Sequence, residues 1–479
     1  IPGLTMAQSM DSPVINIVGS AEQGRLGQGA AQEIDQLGMA GPVTKGAWFV
    51  PDPYRIPEFF ARAFRAAMTG RRGPVHLTIP LDVQQAEVDE RRVRFYQPRE
   101  YRPMGQAPGD PASVREAIEL LQTAQRPVAV AGNGAFSASR EDLERFIEVA
   151  HVPLFTEEAA RGLVSDAHPY CFGFADSRVS DTATCLRDAD LVLFLGKKLD
   201  STINFGGPPT LNQDARIIQV EPSSNLIGLS RGVDVAIAGD VGAVVKQLAL
   251  AAEGLEWKEF PMIRELERVR SAQEQSLEGL ATETGPMHAM SVHKTVRSLL
   301  DDDSCLVYDG GDFPFFGMVY HRSLTANRSL TNGTLGMIGW GVPFGLGAKV
   351  ALPDSKVVLL TGDGSFGFLG MELDTAVRHH LPLVVVMGND SVWGMDYHQQ
   401  LKLYGKTVSS ELLPTTRYDK LAEALGAHGE YVEEAKELPG ALKRAFASGK
   451  PALVNVRIKP APCALTDLAI KLKGGATAV

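Results

Sequence analysis

Two loop segments in the last third of the chain carry side chains that could hold a divalent cation and a phosphate group. The first consists of Gly362, Asp363, Gly364 and Ser365, and the second contains Asp390. Glycines allow the backbone to bend and to approach an anion closely, and carboxylate oxygens are ligands that Mg2+ prefers in proteins. These residue types therefore predict a magnesium site that clamps a diphosphate group.

The elements around these two segments are expected to bring them together. Residues 356–360 form a short β-branched and leucine-rich run that is typical of a buried parallel strand, and residues 366–380 have helical spacing. Residues 382–387 form the next predicted strand. Because open α/β sheets bind ligands at the carboxyl ends of their strands, we expect Asp363 and Asp390 to lie side by side at one sheet edge.

The length and charge of the chain exclude several classes of protein. With 479 residues the chain is too long for one hydrophobic core and suits three domains. A formal net charge of −10 argues against nucleic acid or an anionic membrane as the main partner. No apolar run reaches the roughly 18 residues that a membrane span needs, and no signal peptide is recognisable. The four cysteines show no metal-binding spacing, which predicts reduced, buried thiols and a cytoplasmic location.

The motif pair resembles the fingerprint of the thiamin diphosphate enzyme superfamily, in which Gly-Asp-Gly is followed by Asn-Asn. The chain is similar to the branch that holds acetolactate synthase, benzaldehyde lyase, oxalyl-CoA decarboxylase and 2-hydroxyacyl-CoA lyase. The resemblance implies thiamin diphosphate and Mg2+ as cofactors. It implies that the Asp363 and Asp390 carboxylates and the Val392 backbone carbonyl are metal ligands, and that Gly364 and Ser365 contact phosphate oxygens.

Asp390 departs from the family pattern, which usually has asparagine at this position. The site would therefore carry one more negative charge than the usual pattern. Magnesium accepts carboxylate oxygen readily, so Asp390 remains the expected second ligand.

The resemblance implies an α/β fold of three doubly wound parallel-sheet domains. We place a pyrimidine-binding domain at residues 1–95, a central domain at residues 110–252 and a diphosphate-binding domain at residues 285–460. Residues 1–5 resemble a loop from the middle of the family's pyrimidine-binding domain, so we expect the first domain to be N-terminally truncated. The family's catalytic glutamate lies upstream of that loop, and we assign its role to no residue of this chain.

Two further catalytic candidates follow from positions in the family pattern. The family holds the cofactor in a folded shape with a bulky apolar side chain, and Ile338 occupies that position in the sequence Met-Ile-Gly. A core isoleucine is the alternative. Gln32 matches a position that faces substrate across a dimer interface, where it would orient the substrate through hydrogen bonds. A loop cap is the alternative.

The loop that follows the second motif contains four candidate residues for contact with cofactor and substrate, because the resemblance implies that this loop lies over the thiazolium ring. Trp393 precedes a glycine as in benzaldehyde lyase and is expected to contact the cofactor, and Met395 and Tyr397 are expected to contact the substrate. His398 could shuttle protons near neutral pH, although a structural histidine fits the sequence equally well.

The central domain offers a weaker signal for a second ligand. The Gly-Asn-Gly turn at residues 132–134 follows a predicted strand but lacks the third glycine of a dinucleotide loop, so a plain strand-to-helix turn is favoured over a nucleotide site. In the family this domain holds flavin, an adenine nucleotide and CoA, or nothing. Residues 204–209 resemble the CoA-lyase group, which makes ADP or CoA the candidate ligand.

The leading hypothesis is a carbon–carbon lyase or carboligase most like 2-hydroxyacyl-CoA lyase, which cleaves a 2-hydroxyacyl thioester to an aldehyde or ketone and formyl-CoA. One alternative is an acetolactate synthase-like or benzaldehyde lyase-like enzyme that acts on free 2-keto acids or hydroxyketones. Another alternative is a catalytically inactive relative that keeps the fold. Because the two cofactor half-sites come from different subunits in this superfamily, we expect a homodimer or homotetramer that acts on a small-molecule substrate.

Overall fold

Three separate parallel sheets follow one another along the chain. The computed structural model describes residues 1–476 except Met104, Glu283 and Gly285. Gly285, the predicted first residue of the third domain, lies outside the described residues. The three sheets confirm the predicted α/β class with three parallel-sheet domains.

The first unit contains a small three-stranded sheet. Its helices and strands are α1 (Pro2–Ser9), β1 (Ile15–Ser20), α2 (Gln36–Ala40), β2 (Ala47–Phe49), α3 (Ile56–Met68), β3 (Val75–Pro80), α4 (Leu81–Gln85) and α5 (Pro98–Tyr101). The strand order is β1-β3-β2, and all neighbours are parallel. Helix α3 packs on this sheet because Phe59, Ala63 and Ala67 recur at helical spacing and are buried.

The central unit is a six-stranded sheet with the order β6-β5-β4-β7-β8-β9. Its elements are α6 (Pro111–Thr123), β4 (Pro127–Ala131), α7 (Arg140–Ala150), β5 (Leu154–Thr156), β6 (Cys171–Phe174), β7 (Leu191–Leu195), β8 (Arg216–Glu221), β9 (Val235–Ala238), α8 (Val241–Ala252) and α9 (Met262–Gly279). Strands β4 and β7 are buried along their whole lengths, as apolar strands covered on both faces should be.

A buried lysine side chain lies at the carboxyl edge of the central sheet. Lys197 is 2% exposed and pairs with Glu157 at 2.8 Å and with Asp200 at 2.6 Å. The loop at residues 132–134 packs against it, since a Cβ at Gly132 would lie 2.8 Å from the Lys197 Cα atom. Gly132 is therefore closely packed against Lys197, and it directly precedes a 3-10 helix at Asn133–Ser137.

The third unit is a six-stranded sheet with the order β11-β10-β12-β13-β15-β14. Its elements are α10 (Ala289–Arg297), β10 (Cys305–Asp309), α11 (Asp312–Tyr320), β11 (Ser329–Leu330), α12 (Gly341–Ala351), β12 (Val357–Gly362), α13 (Asp363–Leu369), α14 (Leu373–Arg378), β13 (Val384–Asn389), α15 (Gly394–Tyr404), α16 (Tyr418–Ala424), β14 (His428–Val432), α17 (Leu438–Ala447), β15 (Ala452–Arg457) and α18 (Ala464–Ala476). All strand pairs are parallel.

The helix predicted at residues 366–380 differs from the one observed. Helix α13 already begins at Asp363, and a 3-10 turn at Gly370–Glu372 separates it from α14. The break lies at Leu369, whose φ of −131° and ψ of 23° are not helical. The next residue, Gly370, leaves room for the Phe366 ring, since a Cβ there would lie 2.5 Å from it. The early start places Asp363 in the first helical turn rather than in a loop.

Buried polar contacts join the three units. The Arg71 guanidinium donates to Glu221, to Asp11 at 2.6 Å and to the Gly196 carbonyl at 3.0 Å, which ties the first unit to the central sheet. The Ser323 N–H donates to Asp166 at 2.7 Å and ties the central unit to the third.

Two further predictions concern the whole chain. All four cysteines are free and buried, as predicted. None of the helices in the described part of the chain is both long and apolar enough to cross a bilayer.

Candidate active site

The two motif loops are adjacent in the third unit because their strands are neighbours. Strands β12 and β13 pair in a register that places Gly362 opposite Gly388. Directly beyond this pair, the Ser391 N–H donates to the Asp363 Oδ2 atom at 3.0 Å. The carboxylate of the first motif is therefore bonded to the backbone beside Asp390.

The backbone around Val392 pairs with the segment at residues 410–412. Ser391 and Trp393 form backbone hydrogen bonds of 2.7 and 2.8 Å with residues 410–412, and Val392 forms an antiparallel bridge within this pairing. In such a pairing the intervening residue directs its N–H and C=O to the opposite side. There the Val392 N–H donates to the Asp390 Oδ1 atom at 3.2 Å. The Val392 N–H thus faces the Asp390 carboxylate, and the role of the Val392 carbonyl as a metal ligand remains a prediction.

Burial disfavours the charged forms of both carboxylates, and the Asp363 charge further disfavours that of Asp390. Asp363 is 2% exposed, and burial raises its pKa to about 6. Burial and the neighbouring Asp363 charge raise the pKa of Asp390 well above its usual range. A bound divalent cation would stabilise both charges, so the pair fits a Mg2+ site.

A cation at this place needs oxygen ligands from outside the side chains. The described residues contain no cluster of three or more His, Cys, Asp or Glu that could hold a metal. The Val392 carbonyl and phosphate oxygens would supply the missing ligands, as Mg2+ sites on diphosphates require. The donor set of the chain therefore fits a cation bound together with a diphosphate.

The first turn of α13 has both open space and a close aromatic neighbour. No atom lies within 4 Å of the position that a Cβ at Gly362 would occupy, whereas a Cβ at Gly364 would lie 2.9 Å from the Trp393 ring. Gly310 approaches the same turn with a φ of +114°, and its missing Cβ leaves room for Ser365. Trp393 and Ser365 thus lie at the predicted phosphate cradle.

Ile338 lies in a loop that is fastened to the same sheet edge. The Asp309 carboxylate, at the end of β10, accepts hydrogen bonds from the Gly339 N–H at 3.0 Å and the Gly341 N–H at 2.8 Å. Burial raises the pKa of Asp309 to about 6, and the two N–H groups oppose that rise. Ile338 itself is half-buried, so it is not a plain core residue. Its role as the apolar support of the cofactor remains a prediction.

The predicted substrate-side residues belong to the first turns of α15. Met395 packs over Gly311, where a Cβ would lie 2.9 Å from the Met395 Cγ atom. The Tyr397 and His398 rings are neighbours with centroids 5.4 Å apart. The His398 Nε2 atom is buried without a hydrogen-bond partner among the described residues, and burial lowers the pKa of His398. Its proton-shuttle role remains a prediction.

Gln32 lies in the first unit and is exposed, with a left-handed φ of +61°. No hydrogen bond recorded for the described residues joins it to the site on the third unit. The neighbouring Glu33 caps its own loop, since its carboxylate accepts from the backbone N–H groups of Gly27, Gly29 and Ala30. The predicted contact of Gln32 with substrate across a subunit boundary therefore stays a prediction.

Three polar residues of the site were not predicted. Asp309 and Asp312 stand on either side of a Gly-Gly pair at the end of a predicted strand, which was the available signal. The Asp312 Oδ1 atom accepts from the Cys463 N–H at 2.8 Å and the Thr466 hydroxyl at 2.6 Å, and thereby holds the start of α18. Arg457, at the end of β15, contacts the second motif. No sequence pattern links it to that motif.

This geometry agrees with the families that the chain matches. Residues 309–456 match the model of the thiamine pyrophosphate enzyme C-terminal TPP binding domain, and residues 114–248 match the model of the thiamine pyrophosphate enzyme central domain. The chain belongs to the thiamine pyrophosphate enzyme family. The predicted superfamily is thereby confirmed, and its C-terminal domain model is one that binds thiamin diphosphate.

Several curated relatives align over nearly the whole chain. The chain is 34% identical to the acetolactate synthase large subunit IlvG of Mycobacterium tuberculosis, over 96% of this chain and 83% of the relative. It is 31% identical to oxalyl-CoA decarboxylase of Escherichia coli K12, over 94% of this chain and 79% of the relative. It is 28% identical to human 2-hydroxyacyl-CoA lyase 1, over 96% of this chain and 81% of the relative.

Proposed function

We propose that the protein is a Mg2+- and thiamin diphosphate-dependent carbon–carbon lyase or carboligase. The observation that carries this proposal is the hydrogen bond from the Ser391 N–H to Asp363, which holds two buried acidic residues beside each other at the end of two parallel strands. Asp363, Asp390 and the Val392 carbonyl would hold the cation. Gly362, Gly364 and Ser365 would line the diphosphate, with Trp393 against the first turn of α13.

Thiamin diphosphate supplies an electron sink next to the carbonyl carbon of the substrate. The side chains of the protein would position the cofactor and the substrate and would keep water away from them. Asp309 holds the loop of Ile338, and Ile338 would support the cofactor from below. Met395 and Tyr397 would contact the apolar part of the substrate. His398 could hold or move a proton at the substrate oxygen through its Nε2 atom, which has no hydrogen-bond partner among the described residues.

For the substrate, we favour a 2-hydroxyacyl-CoA thioester, cleaved to an aldehyde or ketone and formyl-CoA. A cavity of about 490 Å³ lies between the three units and is lined by Arg72, Arg102 and Phe136 among others. The Arg72 guanidinium lies over the Phe136 ring at 5.1 Å, and the Arg102 Nε atom is buried without a partner among the described residues. Cations beside an aromatic face suit the phosphates and the base of CoA or ADP.

A second candidate is a carboligase that acts on free 2-keto acids, in the manner of an acetolactate synthase. The observation that favours it is sequence identity, which reaches 34% and 30% for acetolactate synthase relatives, against 28% for human 2-hydroxyacyl-CoA lyase 1. A benzaldehyde lyase-like reaction on hydroxyketones is the related alternative. A member without catalysis is the remaining one.

We further propose a homodimer or homotetramer. The first unit exposes the apolar side chains of Ile17, Ile34 and Met39, and the third unit exposes Phe368 and Met371 beside α13. Exposed apolar surface on both units is suited to a subunit contact that would bring Gln32 to the cofactor. The free, buried thiols are consistent with the predicted cytoplasmic location.

The test is a substrate panel with the purified protein, Mg2+ and thiamin diphosphate. A 2-hydroxyacyl-CoA, pyruvate with a second 2-keto acid, and benzoin are each incubated, and the aldehyde, acetohydroxy acid and formyl-CoA are measured. Formyl-CoA supports the thioester lyase, and an acetohydroxy acid supports the second candidate. Measured binding of thiamin diphosphate without turnover of any of the three would contradict the enzymatic proposal.

A further inference from the structure

Arg457 connects the last strand of the third unit to the second motif. It stands opposite Asn389 in the pairing of β13 with β15. Its Nη1 atom donates to the Asn389 Oδ1 atom at 2.7 Å and to the Ser391 hydroxyl at 2.6 Å. One guanidinium nitrogen thus binds the residues immediately before and after Asp390.

The Asn389 side chain is held from a second direction. Its Nδ2 atom donates to the Asn455 Oδ1 atom at 3.0 Å, and the Asn455 Nδ2 atom donates to Asp419 at 3.4 Å. Asn389, Asn455 and Asp419 are 1%, 0% and 2% exposed. Since buried polar networks specify one geometry when their members are satisfied, this chain of bonds fixes where Arg457 can place its charge.

The place of this charge has an electrostatic consequence. The Arg457 guanidinium is bonded to Asn389 and Ser391, so its positive charge is held at the residues on both sides of Asp390. A diphosphate bound here would add negative charge to two carboxylates, one of which replaces the neutral asparagine of the usual pattern. A guanidinium fixed at both neighbours of Asp390 would offset part of that excess.

We propose that Arg457 is a positioning residue for the cation site, which sets the affinity for Mg2+ by fixing both neighbours of Asp390 and by offsetting its additional charge. The inference rests on the proposed function, because it assumes that Asp363 and Asp390 hold the cation. It concerns the chain's own residues and does not depend on which substrate the enzyme uses.

The test measures Mg2+ binding in the presence of excess thiamin diphosphate, by titration calorimetry and by the fluorescence of the tryptophans, which include Trp393. The variants are Arg457→Met, Arg457→Lys and, as the matched control, Arg444→Met. Arg444 belongs to the same unit and pairs with Glu430 on the surface. Loss of a partner behind a metal ligand commonly weakens metal affinity 10–100-fold. We expect a loss in this range for Arg457→Met, partial recovery for Arg457→Lys and no change for Arg444→Met.

A double-variant cycle with Asp390→Asn tests the charge argument separately. If Arg457 offsets the additional carboxylate, Arg457→Met should weaken Mg2+ binding less in the Asp390→Asn background than in the unaltered chain. An equal loss in both backgrounds would overturn the charge argument. If Arg457→Met does not fold, Arg457→Lys carries the test, with an expected loss of several-fold.

The outcomes separate the two proposals. Failure of the unaltered chain to bind Mg2+ and thiamin diphosphate would overturn the proposed function and this inference with it. Normal binding by the unaltered chain, together with equal affinities for the Arg457 and Arg444 variants, would overturn this inference alone.

Discussion

The Asp309 carboxylate bonds the backbone N–H groups of Gly339 and Gly341, so the end of strand β10 fixes the loop that presents Ile338. Strand β10 is also the neighbour of β12, which leads into Asp363. The support expected under the cofactor and the expected cation ligand are therefore fastened to adjacent strands of one sheet.

The Asp309→Ala variant should be less stable and should bind thiamin diphosphate more weakly. Removing the acceptor leaves buried N–H groups unpaired, at a cost of about 1–3 kcal/mol each. Because two N–H groups lose their acceptor, the free energy of unfolding, measured in urea, should fall by about 2–6 kcal/mol. Asp309→Asn, which keeps an acceptor, should lose less, and equal stability of all three proteins would contradict the role of Asp309.

Asp363→Ala should abolish retention of the cofactor because it removes a cation ligand from a buried site. Thiamin diphosphate that remains bound after gel filtration in Mg2+ gives the measurement. Asp374→Ala is the control, since Asp374 belongs to the nearby α14 and pairs with Arg378 at the surface. An Asp363→Ala protein that keeps its cofactor would contradict the assignment of the site.

Ile338→Ala should lower the turnover rate more than it lowers stability. The side chain is half-buried, so its truncation should cost less than the 2–5 kcal/mol typical of a fully buried isoleucine. The cofactor would lose its apolar support, and kcat should fall by about tenfold or more, which corresponds to roughly 1.4 kcal/mol in the barrier. Ile338→Leu should retain most of the rate. An unchanged kcat in Ile338→Ala would contradict this role and would indicate that Ile338 contributes to packing alone.

A buried histidine pair should make stability fall as the pH falls. The His293 Nε2 atom lies 2.8 Å from the Phe313 carbonyl and must donate to it, and its Nδ1 atom is 3.2 Å from the His321 Nε2 atom. Burial lowers the pKa of His293 to about 4, and that of His321 well below its usual value. Both are therefore neutral when folded, whereas the unfolded chain takes up protons near pH 6.5.

The sign of this effect follows from proton uptake. Stability from His293 is complete above pH 6.5 and is lost between about pH 6.5 and 4, on the order of 3 kcal/mol. The test compares urea unfolding of the unaltered chain and His293→Gln across this range, because acidic groups common to both cancel in the difference. The variant should lose less stability on acidification, and parallel curves would contradict the prediction.

The sequence was informative where chemistry and strand pattern coincide. Most of residues 356–360 and 382–387 lie in strands, but the observed strands begin at Val357 and Val384 and continue to Gly362 and Asn389, which places both motifs at one edge. Local composition marks such buried parallel strands clearly, but it does not mark where a helix breaks. The break before Gly370 arises at Leu369, whose non-helical backbone no local composition marks.

Contacts that depend on strand order could not be predicted. Arg457 meets Asn389 because β15 follows β13 in the sheet, and Asp309 meets the Ile338 loop because β10 lies beside β12. Local sequence does not predict which of these strands are neighbours in the sheet. The metal ligands, the substrate-side residues, Gln32 and the domain boundaries at 1–95, 110–252 and 285–460 stay predictions.

The buried pairing of Lys197 with Glu157 has a consequence for specificity. In dinucleotide-binding folds, an acidic residue about 20 residues after the glycine loop hydrogen-bonds the ribose hydroxyls. Glu157 follows the second strand of this sheet in that way, yet it is 1% exposed and neutralised by Lys197. A sugar in the cavity between the three units must therefore be recognised by groups other than the Glu157 carboxylate.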